Sequence, residues 1–225
     1  RKAIETARKR VADAIGADAD EIYFTSGGTE ADNWALKGVA DANAKKGKHI
    51  IVSSVEHHAI LKTSQYLEKH GFDVSYAPVN ADGIVNIEKL KELIRDDTIL
   101  ISVMYANNEI GTIQPIEDIA KIAKEKGIYF HTDAVQAVGH IPINVKELGV
   151  DLLTISAHKL NGPKGVGALY IKKGVSINSF INGGDQEMKR RAGTENTAGI
   201  VGFGKAIELA VADIEEKNNY IRNLR

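Results

Sequence analysis

The feature that most constrains this chain is an alternation. Short, nearly continuous apolar runs alternate with segments whose apolar residues recur at helical spacing. The apolar runs are Glu21 to Thr25, 49–54, Asp73 to Ala77, 99–105, 128–133, 151–156 and 167–173. The run ILISVMY, 99–105, has the character of a strand buried on both faces. The segments between them read as helices: 2–15, Thr29 to Lys46, 58–70, 87–94 and 115–126. Ile4, Ala7, Val11, Ala14 and Ile15 set the spacing of the first. Thr29 with Asp32 matches a capping box, and Pro115 stands near the start of its helix. Strands alternating with helices predict an α/β fold of three layers, α/β/α. Its sheet is mainly parallel, of about seven strands, with 167–173 as an edge or antiparallel strand. After residue 173 a polar, Gly-rich stretch (182–199) leads into a C-terminal helix over 199–218. No linker or repeat interrupts the pattern, so 1–225 is expected to be one domain.

Composition removes several classes. Hydrophobic residues are 43% and charged residues 26% of the 225 residues, as in globular proteins. Lys plus Arg is 29 against 30 Asp plus Glu, a net charge of −1. Nucleic-acid binding is disfavoured, because phosphate affinity needs clustered positive charge. There is no cysteine, which excludes a disulfide framework, a thiolate metal site and a Cys nucleophile on this chain. No apolar run approaches the roughly 18 residues that span a bilayer, so no membrane role is expected. The first residues, RKAIETARKR, do not resemble a signal peptide. Arg1 in place of a start methionine suggests a fragment or processed form.

Each apolar run ends in reactive or polar side chains. Run 22–25 leads into Ser26-Gly27-Gly28-Thr29, and run 49–54 into Glu56-His57-His58. Run 99–105 leads to Asn107-Asn108-Glu109. Run 128–132 ends at Asp133 with Gln136 one turn on, and run 151–155 at Ser156-Ala157-His158-Lys159. In parallel α/β sheets the strand C-termini share one edge and ligands bind outside it. Five strand ends therefore converge on one site.

The elements have bland alternatives. Ser26 to Thr29 before a helix suits a phosphate, through free N–H groups and the helix dipole, or is an ordinary capped turn. Asp133, a carboxylate closing a buried strand, needs a partner. It is a metal ligand with His131, a helix cap, or the partner of a protonated ring nitrogen. His57 is a core histidine, a metal ligand, or a ring stacked on a planar cofactor. Lys159 is a surface charge or a desolvated amine reactive toward carbonyls. Amine, strand-end carboxylate and phosphate loop together are the three contacts that pyridoxal 5′-phosphate (PLP) needs. The GIVGFGK segment, 199–205, fits a P-loop pattern but is followed by Ala206 and preceded by no strand. It reads as small residues in a packed helix start.

The segments TSGGTEADN (25–33), VEHHAI (55–60), NNEIGTIQP (107–115), HTDAVQAVG (131–139), SAHKLNGPKGVGALY (156–170) and GGDQEMKRRAGTEN (183–196) resemble the cysteine desulfurases of the NifS/IscS type. These are class-V PLP enzymes of the aspartate aminotransferase fold. The resemblance covers nearly the whole chain in order. It implies that Lys159 forms the Schiff base and moves protons at the substrate α-carbon. Asp133 would pair with the pyridinium nitrogen, Gln136 with the ring oxygen, and His57 would stack on the ring and assist acid–base steps. Gly28, Thr29, Ser156 and His158 would hold the phosphate. Asn108 would lie by the ring hydroxyl and the substrate carboxylate. Thr194 would reach the phosphate of a neighbouring subunit, implying a homodimer.

The implied reaction converts L-cysteine to L-alanine, passing sulfur to an enzyme persulfide for an iron–sulfur scaffold or other sulfur-acceptor protein, in the cytoplasm. By the same resemblance, the persulfide cysteine, the arginine for the substrate carboxylate, the small C-terminal domain and an N-terminal segment lie outside this chain. Asp185 stands where a third Gly is usual, and Lys189 where a small residue is. Three rival readings are a selenocysteine lyase or related lyase, a catalytically incomplete PLP-binding scaffold, and a metal-dependent hydrolase using His57, His131, Asp133 and His158.

Overall fold

The computed structural model describes residues 1–224. Helix α1 (Lys2–Ile15) precedes β1 (Ile22–Thr25). Then come α2 (Gly28–Asn43), β2 (His49–Ser53), α3 (His58–Lys69) and β3 (Asp73–Ala77). The middle of the chain forms α4 (Ile87–Leu93), β4 (Thr98–Ser102), α5 (Ile116–Glu125), β5 (Tyr129–Asp133), α6 (Val145–Leu148), β6 (Leu152–Ser156) and β7 (Gly167–Ile171). A single turn, α7 (Gln186–Lys189), leads to α8 (Thr197–Ala212) and α9 (Ile214–Leu224).

The strands form one seven-stranded sheet in the order β1-β7-β6-β5-β4-β2-β3. The pairs from β6 across to β3 are parallel. Strand β7 runs antiparallel to both of its neighbours, β1 and β6. It is therefore antiparallel but internal, and all five of its residues are buried. Two antiparallel steps restore direction, so β1 points the same way as β6. The C-terminal ends of β1, β2, β4, β5 and β6 thus lie along one edge of the sheet.

Helices cover both faces, which is why the strands read as continuous apolar runs. Adjacent strand residues go to opposite layers. Leu100, Leu152 and Tyr129 pack with Trp34, Leu36 and Val39 of α2 and Ile60 and Leu67 of α3. Ile101, Leu153 and Phe130 pack with Val11 and Ile15 of α1, Ile119 of α5, and Phe203 and Ile207 of α8. Small residues bring α1 and α8 together: a Cβ on Gly204 would stand 2.7 Å from Ala7 Cα. One on Gly202 would stand 2.6 Å from Pro163 Cγ. The glycines of GIVGFGK are packing residues.

Two local expectations are corrected. The C-terminal helix is broken at Asp213, whose backbone (φ −136°, ψ 44°) is not helical. The break falls where burial ends: α8 buries Ile200, Phe203 and Ile207, whereas α9 buries nothing. Thr29 and Asp32 do not form a capping box either. They lie inside α2, whose N-cap is Gly27 with φ 151°, a conformation that glycine adopts readily. The Ser26 N–H is taken instead by Glu30 Oε2 at 2.8 Å.

Candidate cofactor site

The shared strand edge opens into a cavity of about 580 Å³. One wall is the start of α2. Ala31 N–H donates to the Gly27 carbonyl at 3.2 Å, so the N–H groups of Gly28 and Thr29 precede the first intrahelical donor and are free. They face the cavity with the positive end of the helix dipole. Gly28 packs against the adjoining strand ends, since a Cβ there would meet Val135 Cγ2 at 3.0 Å and Ser156 Cβ at 3.5 Å.

The end of β6 supplies the next wall. Ser156 Oγ and His158 Nδ1 are 2.8 Å apart. Partial burial, then the charges of Lys159 and Lys164, hold the His158 imidazole below its usual value. The pair therefore offers neutral donors beside two cations. Lys159 lines the same cavity. It sits on the short 3-10 turn Ala157–Leu160, and its side chain is exposed. The desolvation expected from its flanks is thus not seen, although Ala157 and Leu160 of the same turn are buried.

Asp133 closes β5 and is 5% exposed. Burial raises its pKa, against the Val135 N–H, which donates to Oδ1 at 2.9 Å, and the nearby His57. His57 is not a core histidine: it is exposed at the N-cap of α3. Its Nδ1 accepts the Ala59 N–H at 3.1 Å, which leaves Nε2 as the protonated nitrogen of the neutral ring. Asn108 and Gln136 complete the far side. Asn107, beside Asn108, serves the loop instead. Its Oδ1 accepts the N–H groups of Glu109 and Ile110, and its Nδ2 donates to the Val55 carbonyl.

Nine of the ten residues expected from the sequence line this one cavity: Gly28, Thr29, His57, Asn108, Asp133, Gln136, Ser156, His158 and Lys159. Thr194 does not. It is exposed on the 182–196 segment. That segment is tied to the cavity rim by a fork from Arg191 to Glu30, Nε to Oε1 at 2.7 Å and Nη2 to Oε2 at 2.9 Å. Burial would raise the Glu30 carboxyl, but Arg191 and the Ser26 N–H outweigh it and hold it below its usual value.

The sequence reading missed the carboxylates Glu30 and Asp32, both of which line the cavity. It passed over Glu56, buried behind His57. Glu56 Oε1 accepts the Ser53 hydroxyl at 2.6 Å and the Met104 N–H at 2.7 Å. Burial nevertheless pushes Glu56 up to about 8. For Asp32 a signal existed: it lies one helical turn from Gly28 and so shares its inward face.

The ligand set expected for a metal hydrolase is not assembled. His131 is fully buried with both nitrogens occupied, Nδ1 2.8 Å from Ser102 Oγ and Nε2 3.0 Å from Thr154 Oγ1. His158 Nδ1 is engaged by Ser156. Among the described residues one group of three potential donors lies close together, Asp32, His57 and Asp133, with atoms within 4.8 Å of one another. It contains only two of the four expected ligands. The donor set suits PLP better: an amine, a buried carboxylate and a helix N-terminus with a hydroxyl and an imidazole, around a cavity that Gly28 keeps open.

The class-V aminotransferase family model matches residues 1–225. The chain is 65% identical over 223 residues to a cysteine desulfurase IscS of Methanosarcina thermophila, covering 99% of this chain and 55% of that protein. It is 62% identical over 225 residues to the cysteine desulfurase IscS of Clostridium botulinum, covering all of this chain and 57% of that protein. The chain thus spans little more than half the length of these relatives. Among solved structures, a NifS-like protein matches with a TM-score of 0.97 and 47% identity, over 100% of this chain and 62% of that one. A structure described as SspA in complex with cysteine matches with a TM-score of 0.89 and 42% identity, over 99% and 66% of the respective chains. On fold and sequence alike, the chain belongs to the class-V aminotransferase family.

Proposed function

We propose that residues 1–225 form one PLP-binding unit of a cysteine desulfurase acting on L-cysteine. The observation that carries this reading is the meeting of Lys159, Asp133 and the start of α2 around one cavity, in a chain 62–65% identical to proteins named cysteine desulfurase. The neighbour described as a complex with cysteine supports the substrate.

When bound, PLP supplies an electron sink for bond changes at the substrate. The chain's own residues do the rest. Lys159 Nζ is the amine for the cofactor aldehyde and then carries the proton to and from the substrate α-carbon. Asp133 holds the protonated ring nitrogen, and Gln136 hydrogen-bonds the ring oxygen. Gly28 and Thr29 N–H groups, with Ser156 and His158, bind the phosphate. His57 presents its ring to the cofactor face, with Nε2 as the atom that moves a proton. Asn108 orients the substrate carboxylate. Thr194 serves the phosphate of a second subunit in a homodimer.

Overall, L-cysteine and a thiol give L-alanine and a persulfide: the substrate C–S bond breaks and an S–S bond forms. The chain has no cysteine, so the accepting thiol lies outside residues 1–225. An iron–sulfur scaffold or another sulfur acceptor in the cytoplasm would consume the persulfide. Among the described residues no helix is long and apolar enough to cross a membrane.

The test is exchange of the L-cysteine α-hydrogen for deuterium by the PLP-loaded chain, with alanine formation followed in parallel. Exchange is expected and is lost in Lys159→Ala. Alanine is expected to form slowly unless a small thiol is added. A PLP-loaded, folded chain that exchanges nothing would overturn the reading.

A further inference from the structure

Asp32 has no role in the assignments above, yet it is among the most unusual groups in the molecule. It projects from α2 into the wall of the cavity and is 1% exposed. Its Oδ1 is buried without a hydrogen-bond partner. Among the described residues the one basic side chain within 4 Å of it is His131, with Nε2 at 3.8 Å. His131 offers no charge, because burial pushes it down to about 3. The other groups that face Asp32 are Asp133 on β5, Glu56 and His57 before α3, and the Thr154 hydroxyl on β6.

Two buried carboxyls with oxygens within 4.8 Å do not both ionise. Asp133 is the better place for the charge. It accepts the Val135 N–H at 2.9 Å and faces His57. Asp32 has an orphan oxygen instead, and burial followed by the charge of Asp133 displaces it well above its usual value. A hydrogen bond from the Thr154 hydroxyl opposes that rise without cancelling it, and Thr154 Oγ1 stands 3.0 Å from His131 Nε2. His131 Nδ1 is 2.8 Å from Ser102 Oγ, so both of its nitrogens are engaged away from Asp32.

We propose that Asp32 is a positioning residue of the cofactor site: a neutral carboxylic acid behind Asp133, which leaves Asp133 the single anion available to a cationic ring nitrogen. This rests on the PLP reading of the cavity. A second anion there would overcharge the site and repel the first. A neutral acid fills the wall without adding charge.

The test has two arms. In the first, infrared difference spectra of the PLP-free wild type against Asp32→Asn are recorded at neutral pH. The proposal expects loss of a protonated carboxylic C=O stretch that is sensitive to deuterium exchange. Glu56→Gln is run alongside, because Glu56 contributes its own protonated band. Loss of ionised carboxylate bands in Asp32→Asn would overturn the proposal. In the second arm PLP affinity and the pH midpoint of the visible absorbance band are measured. Asp32→Asn, which keeps a neutral donor, is expected to hold the affinity within about threefold and leave the midpoint unmoved. Asp133→Asn is expected to lose roughly 30-fold or more, as for a broken buried charge pair. A tenfold loss or a lowered midpoint in Asp32→Asn would show a working second anion and overturn the proposal. If the wild type takes up no PLP, the positioning role falls with the cofactor reading, while the infrared arm still reports whether Asp32 is protonated.

Discussion

Arg8 and Glu187 stand 179 positions apart in sequence, yet Arg8 Nη1 meets Glu187 Oε2 at 2.7 Å in a buried ion pair. Their side chains are 6% and 4% exposed. Glu187 Oε2 also accepts the Phe24 N–H of β1 at 2.8 Å. This anchor holds an unfavourable backbone: Glu187, Met188 and Lys189 have φ of 45°, 55° and 68°, a left-handed turn without glycine.

Two opposite effects follow from that anchor. Arg8→Leu strands a buried Glu187 carboxylate and is expected to lower unfolding stability by about 3–5 kcal/mol. Lys189→Gly, at an exposed left-handed position, is expected to raise it by about 0.5–1 kcal/mol. Urea unfolding of the two variants checks both signs. The turn was invisible in the sequence, because no non-glycine residue announces a left-handed conformation.

Glu56 gives a pH signature. Its folded pKa is raised from 4.5 to about 8 by burial, so the folded state holds the proton more tightly than the unfolded chain. The associated stability is complete below about pH 4.5 and is lost as pH rises to about 8. Glu56→Gln removes that dependence. Its stability relative to wild type should climb by a few kcal/mol between pH 5 and pH 9, following the conversion of about 1.4 kcal/mol for each pH interval of one. Parallel curves for the two proteins would contradict the buried, protonated Glu56.

His57 combines two tasks that substitution separates. Its Nδ1 caps α3 through the Ala59 N–H. His57→Ala should cost about 1 kcal/mol of stability, the usual value of a lost cap. His57→Asn restores an acceptor and should recover most of that loss. Neither variant should recover the α-hydrogen exchange rate, which needs the imidazole. Recovery of exchange in His57→Asn would make the residue a cap alone.

Gly28 tests the shape of the cavity wall. A methyl there would press on Val135 Cγ2 at 3.0 Å and narrow the space before the first N–H groups of α2. Gly28→Ala is expected to weaken PLP binding at least tenfold while leaving the apo protein within about 1 kcal/mol of wild type. Adding Val135→Ala should restore part of the affinity. Unchanged affinity in Gly28→Ala would place the phosphate elsewhere.

The fold was legible because burial on both faces writes itself into strand composition. ILISV needs helices on either side, and Leu100 and Ile101 do go to opposite layers. Lys159, Asp133 and His57 were legible as site candidates because each stands at or just past a strand's C-terminal end. Asp32 was legible only in part: one helical turn from Gly28 it shares that residue's face, yet only the sheet packed beneath shows it buried. Glu30 and Arg191 were hidden by distance, since their fork joins segments 161 positions apart. The break at Asp213 was hidden because helical spacing continues past the point where burial stops.

The central claim is that Lys159 is the amine of a PLP site. The direct measurement is reduction of the PLP-treated chain with borohydride, followed by peptide mapping by mass spectrometry, with circular dichroism to confirm the fold. Reduction is expected to abolish a visible absorbance band and to leave one pyridoxyl adduct, on the peptide containing Lys159. A folded chain that takes up no PLP, or carries the adduct on other lysines with Lys159 unmodified, would contradict the claim.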